Sequence, residues 1–149
     1  MKVLMVCLGN ICRSPMAHGV LQKEIDNQSL NWSVDSSGTS SFHSGDLPDS
    51  RSIDVARKNG IDISKQRSRL FVKSDFNDFD LILAMDSSNY QNILKLATSD
   101  EDRNKVKLLL NYAYPGENRA VPDPYYEGGF QSVYNMIETA VFKLVETHK

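Results

Sequence analysis

The chain has 149 residues, of which 40% are hydrophobic and 24% charged, and a formal net charge of -2. That length fits one domain spanning residues 1–149, large enough to bury a core without staples, with the balance of an ordinary soluble globular protein. The slightly negative charge argues against nucleic acid or an anionic membrane as a partner, because both favour a basic surface.

Val3 to Val6 is a short, wholly apolar, β-rich run, as expected for a strand covered on both faces. With Lys2 before it and Cys7 after it, the run superficially resembles a secretory or lipoprotein leader. It is only about six residues long, however, Arg13 follows closely, and Val6 is too large for a cleavage site, whereas a secretory core needs roughly 7–15 apolar residues. No other stretch approaches the roughly 18 apolar residues of a membrane span, so a cytoplasmic protein is expected.

Ser14-Pro15 offers a hydroxyl N-cap with proline at the first helical position. The helix should continue through Met16, Val20, Leu21 and Ile25 and stop near Asn27. Trp32 to Ser36 alternates as a second strand, ended by Ser37-Gly38-Thr39. The polar loop SSFHSGDLPDS leads to a helix from about Asp49 to Asn59, closed by Gly60. DLILAM, Asp80 to Met85, reads as another buried strand, and Asp86 caps a helix through Ile93, Leu94 and Leu96. The charged stretch Ser99 to Lys105 reads as a solvated connection, Lys105 to Leu110 as a fourth strand, and Phe130 to Glu146 as a long amphipathic helix. Strands alternating with helices predict an α/β fold: a four-stranded parallel sheet with helices on both faces. Ligands of such sheets bind beyond the carboxyl ends of the strands, where the segment after Val6 should lie.

That segment is Cys7-Leu8-Gly9-Asn10-Ile11-Cys12-Arg13-Ser14-Pro15, which holds both cysteines of the chain. A disulfide between them would close a very small loop and would be unusual in a reducing cytosol. Two thiols alone do not complete a zinc site, and no histidine stands at finger spacing, so no metal is expected. Reactive chemistry and inert burial remain. A helix N-terminus presents unpaired N–H groups and about half a positive charge, which attracts anions and favours a thiolate. Arg13 adds a planar fork suited to two phosphate oxygens. If residues 8–13 curl into a nest, their N–H groups surround one tetrahedral anion and Cys7 faces its centre. Gly9 would supply backbone freedom, Asn10 tolerates a left-handed conformation, and Ser14 can also donate to the thiolate. The parts suit nucleophilic displacement at phosphorus; a redox or buried cysteine pair beside a surface arginine is the rival reading.

Displacement also needs a proton for the leaving oxygen and then a base for water, and one carboxylic acid can serve both steps in turn. Asp123 is held between Pro122 and Pro124, which limits its backbone, although an ordinary Asp-Pro turn has the same appearance. Tyr125 and Tyr126 beside it could wall a slot for a phenyl ring. The remaining candidates read structurally. His18 is a helix-surface or packing residue, His43 is solvated more than substrate-touching, His148 is terminal, Trp32 packs on the strands and Asp86 is an N-cap.

Cys7 to Pro15 matches the C-x5-R-S signature of the low-molecular-weight protein tyrosine phosphatases, and Asp123-Pro124-Tyr125 matches their general-acid loop. GTSSFHSGDLPDSR (Gly38 to Arg51), FDLILAMDSSN (Phe79 to Asn89) and the C-terminal helix are also similar to the family, so the likeness spans essentially the whole chain. The resemblance implies a flavodoxin-like sheet and hydrolysis of phosphotyrosine in proteins through a phosphocysteine, with inorganic phosphate as product and no cofactor. It makes Cys7 the nucleophile, Arg13 the clamp on the phosphoryl oxygens and Asp123 acid then base. Asn10 and Ser14 would hold the loop and tune the thiolate. Phe42 takes a pocket-wall position where the family more often carries Trp or Tyr, with Tyr125 and Tyr126 on the other wall. Cys12 matches a second family cysteine that can form a reversible disulfide with the nucleophile and protect it from over-oxidation. A monomer is the simplest expectation.

Two enzymatic rivals share the scaffold. An arsenate reductase needs a further relay cysteine, and Ala84 to Asn92 contains none. The protein-arginine phosphatase branch resembles CTGNTCRS, with threonine where this chain has Ile11 and a less aromatic acid loop. Ile11 and Tyr125-Tyr126 instead favour a flat phenyl group. A phosphate-binding module without catalysis gives no reason to keep Cys7, Arg13 and Asp123 together.

Overall fold

The structure is a computed structural model that describes residues 1–149. Four parallel strands form one sheet in the order β2-β1-β3-β4: β1 is Lys2–Cys7, β2 Ser33–Gly38, β3 Leu81–Ala84 and β4 Val106–Leu108. The apolar run that opens the chain is therefore a central strand. Side chains alternate across a strand. Val3, Met5 and Cys7 accordingly enter one core cluster with Leu81 and Leu83, while Leu4 and Val6 enter another with Ile82 and Ala84.

On the first face lie α1 (Arg13–Gln28), α2 (Ser50–Lys58) and the long α7 (Phe130–His148). Met16, Val20 and Leu21 of α1 meet Val133, Ile137, Val141 and Leu144 of α7 there, with Trp32 packed at the margin. On the second face, Phe76 of α3 (Asp75–Asp78) and Ile93 of α4 (Ser87–Leu94) cover the sheet together with Phe71. The predicted α/β fold and parallel sheet are thus present.

Several boundaries differ from the sequence reading, each for a local reason. α1 starts at Arg13, one residue before the expected Ser14 cap, and its N-cap, Cys12, makes no side-chain cap hydrogen bond. Pro15 is tolerated at the third helical position because the first four N–H groups of a helix lack partners in any case. β4 ends at Leu108, and the chain tightens into a 3-10 turn, Leu109–Tyr112, where a longer strand was expected. The charged connection contains a short exposed helix, α5 (Asp100–Asn104), capped by Ser99. Tyr125 falls in another short helix, α6 (Pro124–Glu127), whose N-cap is Asp123.

Candidate active site

The carboxyl end of β1 runs directly into the segment Leu8–Cys12, and the first turn of α1 closes it. Its carbonyls are tied outward. Those of Cys7, Leu8 and Ile11 accept from the N–H groups of Thr39, Ser40 and Asp49 at 2.8–2.9 Å, and that of Gly9 accepts from Ser68 Oγ at 2.9 Å. The N–H groups of Leu8, Gly9, Ile11 and Cys12 have no protein acceptor, which leaves the loop with free donors of the kind an oxyanion requires. The Asn10 N–H is the exception and donates to Cys7 Sγ at 3.3 Å.

Asn10 organises the curl. It sits at φ 57°, a left-handed conformation that asparagine tolerates, and is buried. Its Nδ2 donates to Ser14 Oγ (2.7 Å) and Ser36 Oγ (3.0 Å), while its Oδ1 accepts from the Arg69 N–H (3.0 Å). Ser14 Oγ lies 3.1 Å from Cys7 Sγ. Of the two roles expected of Ser14, cap and partner of the sulfur, the second is the one present. Gly9 does not use a left-handed φ; a Cβ there would lie 3.1 Å from His43 Cδ2, a tight contact that the imidazole would have to relieve by moving a few tenths of an ångström.

The guanidinium of Arg13 is almost wholly buried and directed by three oxygens. Nη1 donates to Asp86 Oδ2 (2.7 Å) and to the Val121 carbonyl (3.1 Å), and Nη2 faces Asp123 Oδ2 at 3.5 Å. Burial acts to lower its pKa, but the negative charges of Cys7, Asp86 and Asp123 outweigh burial and raise it, so the cation is permanent. Asp86 also caps α4 by accepting from the Asn89 N–H at 2.8 Å. The sequence reading found the cap and missed the ion pair; the available signal was an acid just past a strand end on the ligand-binding edge. Burial pushes the Cys12 thiol up to about 12, which keeps it neutral.

These groups face one cleft of about 350 Å³, with Cys7, Leu8, Gly9, Ile11, Cys12 and Arg13 along its base. Asp123, Phe42, Tyr125 and Tyr126 rise around it, and residues Phe42 and Tyr126 are 84% and 77% exposed at the mouth. His43 also lines the wall, its ring edge-on to Phe42 at 4.9 Å and 6.2 Å from that of Tyr125. Every residue singled out for the site in the sequence borders this cleft except Asn10 and Ser14, which brace it from behind.

The fold and the cleft define an α/β protein with a thiol beside a loop of unpaired N–H donors and a carboxylic acid opposite. Residues 2–149 match the family model described as low molecular weight phosphotyrosine protein phosphatase. A relative of that name from Schizosaccharomyces pombe is 46% identical over 138 residues, covering 89% of this chain and 87% of its own. Among solved structures, the protein tyrosine phosphatase of Entamoeba histolytica, with Hepes in its active site, superposes with a TM-score of 0.91 at 40% identity, over 99% of this chain and 96% of that one. The Drosophila arginine phosphatase gives 0.92 at 34% identity, over 100% and 98%. The chain belongs to the low molecular weight phosphotyrosine protein phosphatase family, a family of hydrolases.

Proposed function

We propose that this protein hydrolyses phosphotyrosine in proteins, with Cys7 as nucleophile, Arg13 as phosphoryl clamp and Asp123 as acid and base. The observation that carries the reading is that Cys7, the loop with its unpaired N–H groups, Arg13 and Asp123 line one aromatic-walled cleft. The sulfur attacks phosphorus as the P–O bond to the phenol breaks, and Asp123 gives its proton to the leaving oxygen. The equatorial oxygens spread their charge over the loop donors and Arg13. Asp123, now a carboxylate, then takes a proton from water, which attacks phosphorus, breaks the S–P bond and releases inorganic phosphate with Cys7 restored. Nucleophilic chemistry of this kind needs a free thiol, which suits the cytoplasm.

The aryl ester is favoured over phosphoarginine because Ile11 lines the base and Phe42, Tyr125 and Tyr126 the walls, surfaces that match a flat ring. The test compares phosphotyrosine, phosphoserine and phosphoarginine peptides with EDTA present. The expected outcome is rapid cleavage of phosphotyrosine alone, no effect of chelation, no turnover by Cys7→Ser, and Asp123→Ala slower by about 10²–10⁴. Faster turnover of phosphoarginine would move the assignment to that branch.

A further inference from the structure

The segment that carries Asp123 is weakly tied to the rest of the fold. Among residues 122–129, only the Tyr125 carbonyl receives a hydrogen bond from a distant element, and its donor is Arg51 Nη2 at 3.4 Å. The segment ends at Gly128 and Gly129, which both adopt left-handed φ (75° and 76°) with open space where a Cβ would point. Two such glycines form a joint with little stiffness of its own. The Arg13–Asp123 contact at 3.5 Å is long beside the 2.7 Å bond from Arg13 to Asp86.

Arg51 braces both sides of that joint. Its guanidinium lies 4.6 Å from the ring centroid of Phe130, just past the glycines, and 5.6 Å from that of Tyr125, just before them. Its Nε and Nη2 grip the Asp49 carboxylate at 3.0 Å each, a two-toothed contact that fixes the plane of the fork. Asp49 in turn caps α2 and donates its N–H to the Ile11 carbonyl of the sulfur loop at 2.8 Å. The Phe130 ring packs on Ile11 and Cys12 of the same loop. One planar cation thus joins the loop that holds the sulfur to the helix that Asp123 caps.

We propose that Arg51 is a positioning residue for the acid. By stacking on Tyr125 and Phe130 and holding Asp49, it sets the distance between the Asp123 carboxyl and the leaving oxygen. The inference rests on the phosphatase reading above and goes beyond it by giving a role to a side chain that does not line the cleft. A misplaced acid harms poor leaving groups and spares good ones, because a stable phenolate departs without a proton. A general loss of structure harms both alike.

The test measures kcat/KM of the wild type, Arg51→Ala, Arg51→Lys and Asp123→Ala on phenyl phosphate and on 2,4-dinitrophenyl phosphate. Inhibition by inorganic phosphate reports on the integrity of the sulfur loop. Arg51→Ala is expected to lose about 10- to 100-fold on phenyl phosphate and less than about threefold on the dinitrophenyl ester. Phosphate inhibition should stay within about twofold, since the loop donors and Arg13 remain. Arg51→Lys should follow Arg51→Ala, because an ammonium keeps the charge but loses the planar stack and the fork. In an Asp123→Ala background, Arg51→Ala should add no further selective loss. If Asp123→Ala discriminates between the esters and both Arg51 variants do not, the brace is wrong and the acid assignment stands. If Asp123→Ala itself loses equally on both, the acid assignment fails and the brace with it.

Discussion

Arg13 shows how one side chain is set by neighbours distant in the chain. Its buried charge is balanced at 2.7 Å by Asp86, 73 positions away, and its other terminal nitrogen, Nη2, is turned toward Asp123. Removing one partner of a buried pair leaves the other charge uncompensated. Asp86→Ala should therefore destabilise the protein by about 3 kcal/mol, the low end for such a break, because the Val121 carbonyl still holds Nη1. Asp86→Asn has one oxygen where the carboxylate uses two, so it can keep the α4 cap but not the ion pair, and should lose less by only about 1 kcal/mol, the worth of a cap. Urea unfolding of the two variants decides it, and equal losses would assign the whole effect to the ion pair and none to the cap. Asn10 acts in the same way: one amide and one backbone N–H reach Cys7, Ser14, Ser36 and the Arg69 backbone, so no single pairwise contact describes its role.

At the scale of elements, the sulfur loop is shaped by the strand beside it. Gly38 ends β2 in register with Cys7, and a Cβ on it would lie 2.6 Å from the Leu8 carbonyl oxygen and 3.1 Å from Asn10 N. Both are backbone atoms of the loop, so neither can swing away as a side chain would. Gly38→Ala should cost about 1–3 kcal/mol as forced overpacking. It should also lower kcat/KM about 10- to 100-fold, because a displacement near 1 Å misaligns the donors. Thermal unfolding together with phosphate inhibition measures both effects; a variant with unchanged phosphate affinity would show that the loop tolerates the shift. β2 thus supplies a template for the site without contributing a reacting group.

At the scale of the whole molecule, the same packing that seats the site sets a pH limit on stability. His18 of α1 sits half-buried against Ser36 of β2, its Nδ1 3.4 Å from the hydroxyl. Burial lowers its pKa below the ordinary 6.5, more than the nearby Asp35 carboxylate raises it. Below about 6.5 the unfolded chain therefore binds more protons at this site than the folded one, and stability rises with pH there. The contribution is complete above that value and is lost as pH falls through the folded pKa. Urea unfolding at pH 7.5 and 5.5 should show a stability gap that narrows in His18→Gln; an unchanged gap would assign the acid sensitivity to other groups. No helix is long and apolar enough to cross a membrane.

The sequence by itself determined the strand and helix types, the sulfur loop and the acid opposite it, because each is written locally. The apolar run of β1, the N–H-rich start of a helix after Cys7 and the proline-flanked Asp123 need no distant partner to be recognised. It read Gly9 as a flexible point, Asp86 as a cap only and Ser99 to Lys105 as a bare connection, while giving Ser14 a cap beside its contact with the sulfur. The first two fell short because the groups beside them, His43 and Arg13, meet them only across the folded loop edge. The strand order, the ion pair under the cleft and the hold of Arg51 on the acid segment were decided by the tertiary structure alone. The physical reason is common to all three: hydrogen bonds, charge pairs and ring stacks act over a few ångströms, and no spacing along the chain records which residues folding brings that close.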